Sequence, residues 1–341
     1  MEIEFAHLQD TLREIFLAHG VHSPDAQILA QELTDATFAG YESHGIGRVK
    51  SYLEALLNGS LRADARLTTV RETPATALLD AGSGFGVLMA LQAADIATSK
   101  ARQLGVGAVS LRHCGDVARL APYAEKIAVG GAIGIVLAND AGSGLVTAPH
   151  GGTQALLSTN PLAAGIPRAE GRPIVFDFAT SQIAVGAARA ATRRRSSVPP
   201  DTLIGALGES VTDPEALFSG LAALLPLGGL AFGFKGTALG LLVEVLAGGL
   251  SGDGLSGDYP ERRGRNAVFM MAIDPGAFAE LPKFHGDVEA FLTRVRANKP
   301  RPGIPTVRVP GEHGTAPGPG QRIQILDALW DELRPLKGFN A

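Results

Sequence analysis

A chain of 341 residues, 45% of them hydrophobic and 19% charged, is long enough for two domains or one large one, and its composition excludes a disordered polymer. A net charge of −4 gives no electrostatic basis for binding nucleic acid or an anionic membrane. The single cysteine, Cys114, excludes an internal disulfide framework and any multi-cysteine metal site, so no metal is expected.

Residues 1–4 show no basic lead into an apolar core, and the most apolar stretch, residues 237–250, is interrupted by Glu244 and several glycines. No membrane span and a cytoplasmic location are therefore expected. Residues 4–58 read as helical. Phe5, Leu8, Leu12, Ile15 and Phe16 share one stripe, and Ser23-Pro24-Asp25 is a cap-like start for a second helix reaching Ala39. Gly40 breaks the pattern before a third helix over residues 49–57. Between them, Ser43, His44 and Arg48 place a hydroxyl, an imidazole and a guanidinium within about a turn and a half of helix. Arginine suits bidentate grip of a carboxylate. The competing reading has Ser43 capping a helix and Arg48 in solvent, and spacing alone favours it.

Residues 76–79 read as a strand, followed by glycines 82, 84 and 86 and a helix over residues 87–104. Glycines between a strand and a helix imitate a dinucleotide fingerprint. Their spacing is G-x-G-x-G, however, and the next strand, residues 106–111, ends in Arg112-His113 rather than an acid. A turn with close helix packing is the expectation. His113 and Asp116, three residues apart after a strand, could do acid–base work or cap the next helix.

A helix over residues 123–128 and a strand over 132–137 lead to the stretch where the chemistry is expected, residues 139–181. Its small and polar clusters are Asn139-Asp140, residues 148–152, Ser158-Thr159-Asn160-Pro161 and Asp177-Phe178-Ala179-Thr180-Ser181. Polar loops at strand ends are where a rigid scaffold holds ligands. Residues 182–191 read as a helix, and Arg193-Arg194-Arg195 as an exposed face in preference to a phosphate contact. Lys235-Gly236 before a helix over 237–246 resembles a small phosphate cradle without Walker spacing, and an exposed lysine is the favoured reading. A strand over 267–273, a helix over 283–298, an extended segment over 300–320 and a final helix over 321–333 complete the chain.

Taken in order, these motifs resemble the malate/L-lactate dehydrogenase family of NAD(P)-dependent oxidoreductases, which is unrelated to the Rossmann-type enzymes. The matching pieces are Ser43-His44-Gly45 with Arg48 and Tyr52, Asp80 with Gly84-Phe85-Gly86, Thr159-Asn160-Pro161 and Asp177-Phe178-Ala179-Thr180-Ser181. They continue through Thr212-Asp213-Pro214, Lys235-Gly236 with Leu239 and Glu244, and Pro310-Gly311-Glu312. The set is collinear and spans nearly the whole chain.

The resemblance implies an α/β fold with two parts: a central mixed-sheet dinucleotide-binding domain, residues 76–297, and a helical domain from both chain ends, residues 1–75 and 298–341. It implies an intertwined homodimer with the active site at the domain and subunit boundary. NAD or NADP would lie along Thr159, Asn160, Pro161, Asp177, Phe178, Ala179, Lys235, Pro310, Gly311 and Glu312. Hydride would pass between nicotinamide and a small 2-oxo/2-hydroxy acid or a cyclic imino acid. Arg48 would hold the substrate carboxylate, with Ser43, Tyr52, Asn139 and Asp140 nearby, and His44 would share the proton with Asp116 or His113.

One departure bears on the chemistry. Ungapped alignment puts Asp116 where the family usually has its proton-exchanging histidine, with His113 three residues earlier. A carboxyl of ordinary pKa, about 3.9, is a poor proton donor at neutral pH unless burial raises it. Its charge opposes an anionic oxo acid and favours a cationic imine. The alternatives are that His113 takes the role with Asp116 orienting it, or that the chain performs specialised biosynthetic or non-redox chemistry.

Overall fold

In the computed structural model, which describes residues 1–140, 142, 144–257, 259, 262, 264–312 and 320–338, the two ends of the chain meet. β1 (Glu2–Glu4) pairs antiparallel with Arg322–Gln324, Ile3 opposite Ile323. α1 (Phe5–Ala18) buries the whole expected stripe, and α2 (Ser23–Phe38) and α3 (Val49–Leu57) pack against it. Their core, built on Leu8, Leu12, Leu29, Leu33 and Leu53, is closed by Leu329, Trp330 and Leu333 from near the other end.

β2 (Thr68–Glu72) and β3 (Thr76–Asp80) open the central sheet. Then come α4 (Gly86–Leu104), β4 (Val106–Gly115), α5 (Ala121–Val129), β5 (Ile133–Asp140), β6 (Leu162–Ile166) and β7 (Ile174–Phe178). α6 (Val185–Arg193), β8 (Leu203–Gly205), β9 (Ser210–Val211), α7 (Glu215–Phe218) and β10 (Ala222–Leu224) form a small unit around a three-stranded sheet. α8 (Gly229–Phe232) and α9 (Phe234–Val243) follow, and the helix widens into a π turn over Glu244–Gly249. β11 (Arg265–Ile273), α10 (Leu281–Arg296), β12 (Arg322–Gln324) and α11 (Asp327–Leu333) complete the fold.

The central sheet has seven strands in the order β2-β3-β4-β11-β5-β6-β7. Only β3 and β4 run parallel, which makes it a mixed sheet. α4 covers it with Ala90, Ala93, Ala94, Ala97 and Ala101, small residues that let a helix approach closely. No helix among the described residues is long and apolar enough to cross a membrane.

The final helix, expected over 321–333, starts at Asp327 because residues 322–324 are taken by β1. The helix expected over 237–246 starts at Phe234 and loses its α geometry at Glu244. β2 and β6 had no counterpart in the sequence reading. Of the expected extended segment, residues 313–319 lie outside the described residues.

The glycines of Gly84-Phe85-Gly86 serve packing. Gly115 donates its N–H to Gly84 O at 3.0 Å, and a Cβ at Gly86 would collide with the carbonyl oxygens of Gly115 and Asp116. α4 thus starts directly beneath the backbone of residues 115–116. Gly86→Ala should destabilise the fold by about 1–3 kcal/mol, as overpacking does when backbone must move. Urea denaturation checks this, and an unchanged midpoint would refute the close approach.

Candidate active site

β11 lies between β4 and β5 and sets the ends of both at one edge of the sheet. Asn266 stands opposite Cys114 on one side and Asp140 on the other, and Ala267 faces Asn139. A register shift between Asn266 and Val268 marks a bulge, which re-aims a side chain. The Asn266 Nδ2 donates to Asn139 O at 3.1 Å, while its Oδ1 accepts from the backbone N–H of Val117 at 2.9 Å. The residues after β4 are thereby fixed beside the end of β5.

Asp116 is the centre of a polar cluster there. Its Oδ2 lies 3.3 Å from Arg48 Nη1, and Tyr52 OH donates to its Oδ1 at 3.2 Å. The backbone N–H of Ala118 also donates to Oδ1, at 3.0 Å. Arg48 comes from the 3-10 turn Ile46–Arg48 and Tyr52 from the first turns of α3, so the helical end of the chain grips the sheet through this carboxylate. Asp116 and Asp140 both strengthen the positive charge of Arg48, raising its pKa. Burial raises the Asp140 carboxyl, and the charge of Asp116 adds to the shift.

His44 completes the cluster. Ser43 Oγ lies 3.2 Å from its Nδ1, and Gly186 in the first turn of α6 sits so close to Ser43 that a Cβ would strike the hydroxyl. Burial lowers the His44 pKa to about 4, helped by the positive Arg48 and Arg119 and opposed by Asp116. At neutral pH His44 is an uncharged imidazole.

His113 is held elsewhere. Its Nδ1 is 2.9 Å from Asp80 Oδ2, and its backbone N–H donates to Asp253 at 2.8 Å, with the backbone at φ 49°. Of the two candidates for the family's histidine, Asp116 is the one that touches Arg48 and Tyr52.

A second constellation centres on Glu244, which is 4% exposed. Its carboxylate accepts from Asn139 Nδ2 at 3.0 Å, Asn160 Nδ2 at 2.7 Å and Ser256 N at 2.7 Å, and from the Ser256 hydroxyl. The amide oxygens of Asn139 and Asn160 are both buried without a partner among the described residues. Asn160 sits at φ 39° immediately before Pro161. Thr159 is fixed through its carbonyl, which accepts from the N–H of Thr180 at 2.9 Å.

The third feature is a cavity of about 1070 Å³ between α2, α4, α5 and β7, near the upper end of the roughly 300–1,000 Å³ typical of cofactor sites. Asp177, Pro310 and Gly311 line it, as does Arg119, whose buried Nε has no hydrogen-bond partner among the described residues. Gly311 has φ 87°, and a Cβ there would strike Val175 O, so only glycine lets this loop lie on β7. Asp177 accepts from the N–H groups of Leu120 and Ala121 at 2.7 and 2.9 Å, which closes the N-terminus of α5.

The remaining residues of the expected cofactor path lie apart from this cavity. Glu312 pairs with Arg296 and accepts from Val309 N at 2.8 Å. Lys235 is exposed, its Nζ 5.2 Å from the centre of the Phe232 ring. Phe178 is 39% exposed and stacks on Phe176, with Ala179 partly buried beside it. Sequence reasoning gave no role to Asn266, Arg119 or Glu244. Glu244 carried two signals, an acid inside an otherwise apolar run and a place among the matching pieces of the resemblance.

Residues 3–334 match the sequence profile described as malate/L-lactate dehydrogenase. The chain belongs to that family. It is therefore an oxidoreductase, of the dehydrogenase and reductase kind. A malate dehydrogenase of Pyrococcus abyssi (strain GE5 / Orsay) is 34% identical over 301 residues, covering 86% of this chain and 82% of that one. A Delta(1)-pyrroline-2-carboxylate/Delta(1)-piperideine-2-carboxylate reductase of Pseudomonas syringae pv. tomato is 37% identical over 259 residues, covering 75% and 73%. The crystal structure of malate dehydrogenase from Entamoeba histolytica superposes with a TM-score of 0.90 at 26% identity, covering 100% of this chain and 98% of that one.

The depressed His44 pKa has a measurable sign. Folding disfavours the imidazolium, so this contribution to stability is present above the ordinary value of 6.5 and is lost as pH falls towards 4. Ring ¹⁵N shifts of His44 should titrate with a midpoint near pH 4, and His44→Gln should flatten the fall in urea stability between pH 6.5 and 4. A midpoint near 6.5 would contradict the burial argument.

Proposed function

We propose that the chain catalyses hydride transfer between NAD(P) and a small 2-oxo/2-hydroxy acid or a cyclic imino acid. The observation carrying this reading is the Arg48–Asp116–Tyr52–His44 cluster, with Arg119 electrostatically joined both to His44 and to the acids of the large cavity. The residues present fit a dinucleotide. The buried Arg119 Nε offers a donor to an anion, and the unpartnered oxygens of Asn139 and Asn160 offer acceptors to amide or hydroxyl groups. Asp177, Pro310 and Gly311 would wall the dinucleotide, with Thr159-Asn160-Pro161 backed by Glu244. When bound, the nicotinamide supplies or accepts the hydride.

Arg48 holds the substrate carboxylate, and Tyr52 fixes the Asp116 carboxylate beside it. His44, uncharged at neutral pH, accepts the proton of a hydroxyl during oxidation. Because Asp116 already faces the Arg48 guanidinium, a simple 2-oxo acid must share that arginine with a like charge. A cyclic imino acid with a protonated nitrogen satisfies both groups at once, its carboxylate on Arg48 and its iminium on Asp116. This supports the imino acid class over the oxo acids.

The proposal extends to a homodimer in a cytoplasmic setting. Phe232, Phe234, Leu241, Leu242 and Val245 form an exposed apolar face on α8, α9 and the π turn, and a second copy would cover it. Cys114 is a free, buried thiol.

Consumption of NADH and NADPH against a panel of 2-oxo acids and cyclic imino acids tests the reading. Arg48→Lys should raise KM for any of these substrates at least about tenfold, since a point charge replaces a bidentate fork. Asp116→Asn should cost cyclic imines about tenfold or more in kcat/KM while sparing or improving 2-oxo acids. Oxidation of neither nicotinamide by any of the substrates would leave the specialised non-redox alternative.

A further inference from the structure

The large cavity is lined by more acids than bases, and its pairing is nearly complete except at one position. Asp95 is 3.0 Å from Lys126, and Glu125 is 2.9 Å from Arg172. Asp177 is occupied by the start of α5, and Asp35 accepts from Gln31 Nε2 at 2.8 Å. Glu32, one turn before Asp35 on α2, has no hydrogen bond or ion pair among the described residues. Burial, and then the charge of Asp35, push its carboxyl up to about 7. Arg119 and Lys126 oppose this only through their charge, and no donor among the described residues hydrogen-bonds the carboxyl.

The cations of the cavity are unevenly available. Lys126 and Arg172 are held by their carboxylates, while Arg119 has no ion pair among the described residues and lies 5.9 Å from the centre of the Tyr41 ring. Arg193, Arg194 and Arg195, the longest arginine run in the sequence, do not line the cavity.

We propose that Glu32 accepts the hydroxyls of the adenosine ribose and that this cavity thereby selects NAD over NADP. The inference rests on the proposed function, because it takes the cavity as the dinucleotide site. A carboxylate bonded to a ribose diol is a common physical solution to recognising an unphosphorylated ribose. A 2′-phosphate at the same place would bring about −1.5 to −2 of charge against Glu32, Asp35 and Glu125. Arg119, the cavity cation with no ion pair among the described residues, is then taken by the pyrophosphate.

Calorimetric titration of the full-length protein with NADH and with NADPH tests this without any substrate. NADH should bind at least about tenfold more tightly, equivalent to about 1.4 kcal/mol. Glu32→Gln keeps the shape and removes the charge, and it should bring the two affinities within about threefold of each other, about 0.6 kcal/mol. Glu32→Ala should do the same. Equal or tighter binding of NADPH by the unaltered protein overturns the assignment, even if Glu32→Gln fails to fold. An unchanged affinity ratio in both variants overturns it as well. Binding of neither dinucleotide overturns the proposed function and this inference with it.

Discussion

The site depends on β11 being wedged between β4 and β5. The polar cluster gathers at the ends of these two strands, yet they never touch each other in the sheet. Asn266 is the contact that makes the wedge functional: one face of its amide binds the chain after β4 and the other binds the end of β5. These bonds close loops of 149 and 127 residues, so the active-site edge forms only when the distant strand has arrived. Local propensity cannot assemble it. A ligand that needs both Asp116 and Asn139 is therefore also a ligand of the completed sheet.

Within that frame, the charge balance follows from one substitution. An imidazole at position 116 would leave Arg48 free to attract a carboxylate. The carboxylate found there pairs with Arg48 and raises its pKa, while burial near Asp116 lifts Asp140. Partly buried charges of this kind are costly to separate, because each partner is left in a low dielectric. The cluster therefore accepts charge most readily as a balanced pair. The carboxylate at position 116 thus keeps the cluster intact by pairing the arginine internally.

Long regular elements were legible in the sequence and short ones were not. The stripe from Phe5 to Phe16 and the helix–strand succession of α4 and β4 are fixed by local pattern. β1 and β12 have three residues each, too few for an alternation to show, and they find each other only across the chain. β2 is exposed at every residue, so it has no burial pattern to read. At the site, spacing alone favoured a solvated Arg48, and only its pairing with a carboxylate 68 positions later gives the arginine its place. Glu32 and Asp35 drew no sequence reading, because the cavity they line is completed by β7 and the Pro310-Gly311 loop from far along the chain. Lys235 shows the residue-level reading and the resemblance diverging: it is exposed against Phe232.

Arg119 ties the cavity to the polar cluster. Its charge opposes protonation of His44 and also acts on Glu32, Asp35 and Asp177. Interior charges communicate over such distances because little solvent intervenes to screen them. An anion settling beside the unpartnered Arg119 Nε cancels part of this field. His44 and the cavity acids are thus members of one electrostatic group centred on this guanidinium.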